Sequence, residues 1–162
     1  MNPTVRPAPR CRRGFAVAGL LAFAGGAAMA SAAAADSAPA PAGSAAELLG
    51  VWRGTSLCTD RVLAPACHDE QVIYTFVAAP ADSAATVRLE ADKVVGGERQ
   101  RMGEMDFVYR QATGRWESEF QNARYHGLWS FEVRGRTIAG ELVDLPSGGR
   151  VRAVRVERDA VP

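Results

Sequence analysis

The sequence predicts an all-β protein: an eight-stranded antiparallel up-and-down β-barrel, preceded by a signal peptide and a short flexible linker. Three observations predict it. From Leu48 onward apolar residues alternate with polar ones, the period of a strand with one buried face. The alternating runs are joined by short segments rich in Gly, Pro, Asp and Ser, which are turn residues. No helical segment separates any two of them, so the crossovers that parallel strands need have no place in the chain. An open sheet of this many strands would expose two edges, and closure into a barrel removes them. A two-sheet sandwich is the alternative architecture.

Each strand is read from its inward residues. Strand one, Gly50–Cys58, turns Trp52, Gly54, Ser56 and Cys58 to one side; strand two, Glu70–Ala78, turns Val72, Tyr74 and Phe76. Pro80-Ala81-Asp82-Ser83 makes a turn. Strand three, Thr86–Val94, places Val87, Leu89 and Ala91 inward and ends at Gly96-Gly97. Strand four, Glu104–Gln111, offers Met105, Phe107 and Tyr109. Ala112-Thr113-Gly114 is a tight hairpin with glycine where positive φ is needed. Strand five, Arg115–Gln121, carries Trp116, Ser118 and Phe120 inward; strand six, Gly127–Arg134, carries Trp129, Phe131 and Val133. Strand seven, Thr137–Asp144, carries Ile138, Gly140 and Leu142. Strand eight, Arg150–Arg158, changes phase near Ala153-Val154, which predicts a β-bulge there. A short helical turn fits the alanine-rich stretch Ser44–Leu49.

The N-terminus is expected to be a secretory signal peptide (1–35), followed by a flexible linker (36–45) and one barrel domain (46–159). Arg6, Arg10, Arg12 and Arg13 form a basic region, Gly14 to Ala28 is apolar, and small residues follow, with cleavage expected after Ala30, Ala32 or Ala35. That apolar run is shorter than the ~20 residues a membrane span needs, so no stable span is expected after cleavage. Arg12-Arg13-Gly14-Phe15 resembles the twin-arginine export signal, with Cys11 where a hydroxyl residue usually stands. The ordinary secretory route and the twin-arginine route both fit. Either delivers the chain to a bacterial periplasm or beyond.

The full chain has nineteen basic and eighteen acidic residues. Losing the four leader arginines leaves fifteen basic against eighteen acidic, a net charge near −3. That lacks the basic excess of a nucleic-acid binder. Cys58 and Cys67 remain, and export into an oxidising compartment predicts a disulfide between them. Their spacing, without a second Cys or His pair, offers no zinc site. No metal, cofactor or catalytic residue is expected. His68 and His126 read as loop residues, Ser56 has no base beside it in the pattern, and the glycine pairs are turn glycines rather than a phosphate loop.

At Gly50-Val51-Trp52 the chain resembles the lipocalin group and its wider calycin superfamily, whose first strand opens with Gly-x-Trp. The resemblance implies a lipocalin-like barrel in which an arginine of the last strand stacks on that tryptophan. Arg158 is the matching position and Arg155 the second choice. The architecture is also similar to that of small periplasmic metalloprotease inhibitors, secreted barrels with one disulfide near the first strands.

Up-and-down connectivity sorts the loops into two ends. Segments 79–85, 112–114 and 135 are short and share an end with the N-terminus; 59–69, 95–103, 122–126 and 145–149 are mostly longer and share the other. Binding sites concentrate on elaborated loops over a rigid scaffold. That rim, with the inward tyrosines, supplies the candidate ligand residues Tyr74, Tyr109, Arg99, Arg101, Met102, Arg124, Tyr125 and His126. Arg61, Arg99, Arg101 and Arg124 can clamp an anion, or pair with the acids near them as ordinary surface ion pairs. Nine inward aromatics fill much of a barrel this size, so the expected pocket is shallow and near the mouth. Two functions follow: a non-enzymatic barrel binding a small apolar or amphipathic ligand at its open end, or an envelope protein-binding module using the Thr59–Ala66 loop on a filled barrel.

Overall fold

A computed structural model describes residues 42–79, 86–123 and 125–160. The expected signal peptide, linker residues 36–41, most of the 79–85 turn and Arg124 lie outside the described residues. One helical turn, α1 (Ala45–Leu48), precedes β1 (Gly50–Cys58), β2 (Glu70–Ala78), β3 (Thr86–Val95), β4 (Glu98–Arg110), β5 (Arg115–Gln121), β6 (His126–Arg134), β7 (Thr137–Asp144) and β8 (Arg150–Arg158). Each strand pairs antiparallel with the next, and β8 returns to β1, closing an eight-stranded up-and-down barrel. The sandwich alternative is thereby excluded.

The inward residues read from the alternation are the core. Trp52, Val72, Tyr74, Phe76, Val87, Leu89, Phe107, Trp116, Phe131, Ile138, Val154 and Val156 are all buried in one cluster. The rings interlock: Phe107 stacks on Phe131 at 4.8 Å, and Phe76 meets both edge-on.

The end where β1 begins is plugged. Leu48 of α1 is fully buried against the barrel core. The Trp52 indole Nε1 donates to the Leu48 carbonyl at 2.7 Å. The Trp116 indole donates to Glu47 Oε1 at 2.6 Å, and the same oxygen accepts the Gly43 amide at 2.9 Å. Arg158 lies over the Trp52 ring and donates to the carbonyls of Glu47 and Leu49. Among the described residues no buried side-chain nitrogen or oxygen lacks a partner, as burial requires.

Two sequence expectations are corrected, and one further feature emerges. The 95–103 segment is not a loop. Gly96 and Gly97 both take positive φ (61° and 90°), the geometry of a two-residue hairpin. Residues from Glu98 therefore continue β4 in register with β3. The bulge of β8 falls at Val151, not near Ala153-Val154: Leu142 pairs with Arg152 and Val143 with Arg150, so Val151 is the extra residue. A second bulge, unforeseen, skips Met102 between the pairs Ala91–Gly103 and Asp92–Arg101.

Barrel closure is uneven. β4 pairs with β5 only at Val108–Glu117, Tyr109–Trp116 and Arg110–Arg115. From Phe107 back to Glu98, β4 has no strand partner on its β5 side among the described residues.

Candidate functional site

The aromatic residues are concentrated towards the plugged end, and the other half of the barrel is hollow. A cavity of about 450 Å³ is bordered there by Tyr74, Leu89, Met105, Phe120, Trp129 and Phe131, with Ser56, Glu70, Ala91 and Arg152. Tyr74 and Phe131, whose rings lie 6.0 Å apart, border it where the barrel core begins. The expected shallow pocket is therefore a cup reaching the middle of the barrel. Counting aromatics overstated the filling because it took no account of where along the axis they lie.

Four consecutive residues of β4, Met102 to Met105, border the cup. Alternate residues of a strand face opposite ways, so a run of four can border one space only where the strand edge is open. The cup thus reaches the unpaired stretch of the β4–β5 seam. A smaller space of about 230 Å³ adjoins it under the β1–β2 loop, bordered by Ala64, Tyr125, Leu142 and Val151 and sharing Phe120 and Arg152 with the cup. The two bulged residues each border one space: Met102 the cup, Val151 the smaller one.

A polar group sits where the two spaces meet. Arg152 Nη1 donates to the Ser56 hydroxyl at 2.9 Å, to Glu70 Oε2 at 3.0 Å and, at 3.4 Å, to the Ser56 carbonyl. The Arg152 and Glu70 side chains are only 16% and 17% exposed. On the far side of Glu70, Lys93 Nζ stands 4.0 Å from Oε1. Tyr74 is pushed up to about 12, chiefly by burial, with Glu70 adding to the rise and a hydrogen bond with Ser56 and the charge of Arg152 opposing it. At neutral pH it is a neutral hydroxyl.

The sequence-derived candidates separate. Tyr74, Met102 and Tyr125 border the two spaces. Tyr125 packs with the small cluster of Ala64, Cys67 and Val151 over the mouth. Tyr109 sits at the plugged end, against Trp116 and beside Gly43. Arg99 and Arg101 stand in β4 and both hold Asp92, itself 4% exposed; Arg101 also reaches Glu90 at 3.0 Å. His126 Nε2 meets Glu119 Oε1 at 2.6 Å. Arg61 reaches Asp69 at 3.5 Å, and Arg124 lies outside the described residues. Among the described residues, then, Arg61, Arg99 and Arg101 take the ion-paired alternative, each engaged with an acid of the chain itself.

Arg152 and Glu70 were not among those candidates. Their signal was present: Glu70 is two residues before Val72, and Arg152 is two before Val154, each in phase with an inward run.

The β1–β2 loop is fixed by the Cys58–Cys67 disulfide. The Asp60 carboxylate accepts the Val62 and Leu63 amides at 2.9 and 2.8 Å. Val62 projects from this braced turn, 93% exposed. Among the described residues no group of three His, Cys, Asp or Glu side chains is placed to hold a metal ion, and no helix is long and apolar enough to cross a membrane. No family model and no curated protein sequence matches the chain.

Proposed function

We propose that this chain is an exported, lipocalin-like barrel that binds one small apolar or amphipathic molecule in the cup at its open end, without catalysing a reaction. The cup itself carries the reading. Its volume of about 450 Å³ falls within the ~300–1,000 Å³ of small-molecule sites. Its wall is mostly apolar, with a few inward polar groups to orient a ligand. The Arg158–Trp52 stack at the plugged end supports the lipocalin likeness, and the basic, apolar, small-residue order of the N-terminus supports export to a periplasm or beyond.

The test uses the neutral fluorophore N-phenylnaphthylamine on the purified protein. Binding at one site per chain, with quenching of the Trp129 emission, is expected. Ala91→Phe places a ring in the cup and should abolish binding while the fold persists. Absence of binding, or binding untouched by that substitution, overturns the reading.

One observation favours a second reading, a protein-binding module. Val62 is presented almost fully exposed on a disulfide-braced turn, the form of a rigid contact residue. Pull-down from an envelope extract, with residues 59–66 replaced by Gly/Ser, discriminates: a partner lost with the loop favours this reading over the first.

A further inference from the structure

We propose that the cup selects anionic amphiphiles, with the Arg152 guanidinium receiving a carboxylate- or sulfonate-like head while the apolar body lies against Met105, Phe120 and Trp129. This rests on the reading of the cup as a ligand site and names the ligand class.

The first ground is donor count. A guanidinium carries five N–H donors in a rigid fork. Among the described residues, every hydrogen bond and ion pair of Arg152 runs through Nη1. Nε and Nη2 are left for something else. No sealed side-chain nitrogen or oxygen among the described residues lacks a partner, so these donors are not sealed off, and Arg152 borders both open spaces. A fork with free donors matches the two oxygens of a carboxylate.

The second ground is charge. Glu70 is shared by two cations, Arg152 at 3.0 Å and Lys93 at 4.0 Å. The remaining acids bordering the two spaces are engaged elsewhere: Glu104 with Arg101 at 3.4 Å, and Asp144 with the amide and hydroxyl of Ser147 at 3.1 and 2.6 Å. Tyr74 stays protonated and adds no negative charge. Because Glu70 already compensates part of the buried charge, the barrel tolerates Arg152 without a ligand.

The rim arginines suggested by the sequence do not supply this. Of those described, each is already ion-paired with an acid of the chain, Arg61 with Asp69 and Arg99 and Arg101 with Asp92. Arg152 is held in a low-dielectric cup, where the same charge acts more strongly.

The experiment compares two fluorophores of one skeleton: anilinonaphthalene sulfonate, an anion, and N-phenylnaphthylamine, which lacks the sulfonate. A charge-assisted contact should favour the anion by roughly tenfold to a hundredfold in Kd. The paired substitution Arg152→Gln with Glu70→Gln avoids stranding a single buried charge, and should bring the ratio of the two affinities close to one. Lys93→Gln, at the half-exposed edge of the group, should lower the ratio severalfold and serves if the double variant fails to fold. Equal affinities in the parent protein, or a preference for the anion that both variants retain, overturn the anion site while the cup stands as a neutral ligand site. Binding of neither dye removes the cup reading and this inference with it.

Discussion

The Arg158 guanidinium lies 4.2 Å from the centre of the Trp52 ring, and the same group ties α1 to the barrel through the Glu47 and Leu49 carbonyls. One side chain thus covers the first strand, closes the last against it, and holds the plug. Burial pushes its pKa below the ordinary arginine value. Arg158→Met should cost about 2–4 kcal/mol in urea unfolding, from the lost cation–π contact and two charge-assisted hydrogen bonds. Arg158→Lys should recover less than half, because an ammonium cannot stack and fork together. A loss below ~1 kcal/mol for Arg158→Met would show that the plug is held by packing alone.

Gly54 and Gly103 make a second, paired prediction. A Cβ at Gly54 would lie 2.1 Å from the Arg155 carbonyl oxygen and 2.8 Å from the Val156 Cα, both backbone atoms of β8. The β1–β8 seam that closes the barrel must shift to admit it. A Cβ at Gly103 meets nothing within 4 Å. Gly54→Ala should therefore cost about 1–3 kcal/mol or more, and Gly103→Ala close to nothing or a slight gain. Thermal melts of the two variants check this, and equal melting temperatures would contradict the seam geometry.

Tyr74 predicts an alkaline limit to stability. Its folded pKa of about 12 lies above the ordinary value of 10.0. Between these values the folded chain holds a proton that the unfolded chain releases. The contribution to stability is therefore whole below about pH 10 and is lost as pH rises through about 12. In a phenolate absorbance titration, one of the three tyrosines should ionise late or together with unfolding, and Tyr74→Phe should remove that step. Full phenolate absorbance near pH ~10 with native circular dichroism would refute it.

The β4–β5 seam predicts an exchange pattern. β6 and β7 are joined by eight residue pairs, β4 and β5 by three. In β4 between Glu98 and Phe107, the amides that point away from β3 have no strand to bond. Hydrogen exchange should find roughly alternate amides there unprotected, within a strand whose other amides are slow. Uniform protection would mean that the seam closes in solution.

What the sequence determined by itself follows from local alternation. The period of two fixed most of the inward side chains: Trp52 and Phe107 lie in the core and Trp129 packs against it. Turn chemistry fixed the order of strands, and up-and-down order leaves closure as the way to pair both edges. Arg158 was legible because its phase runs straight on from Val154 and Val156.

Only the tertiary structure decided where phase breaks. A bulge changes which residues are inward downstream of it, yet its position depends on the partner strand's register, not on its own residues. That is why the sequence misplaced the slip in β8 and missed the one at Met102. Depth along the axis is equally non-local: nine inward rings could fill a barrel evenly, or crowd one end and leave a cup. The folded barrel takes the second, with Leu48 of α1 packed into the core and the space a ligand would occupy left towards the other end.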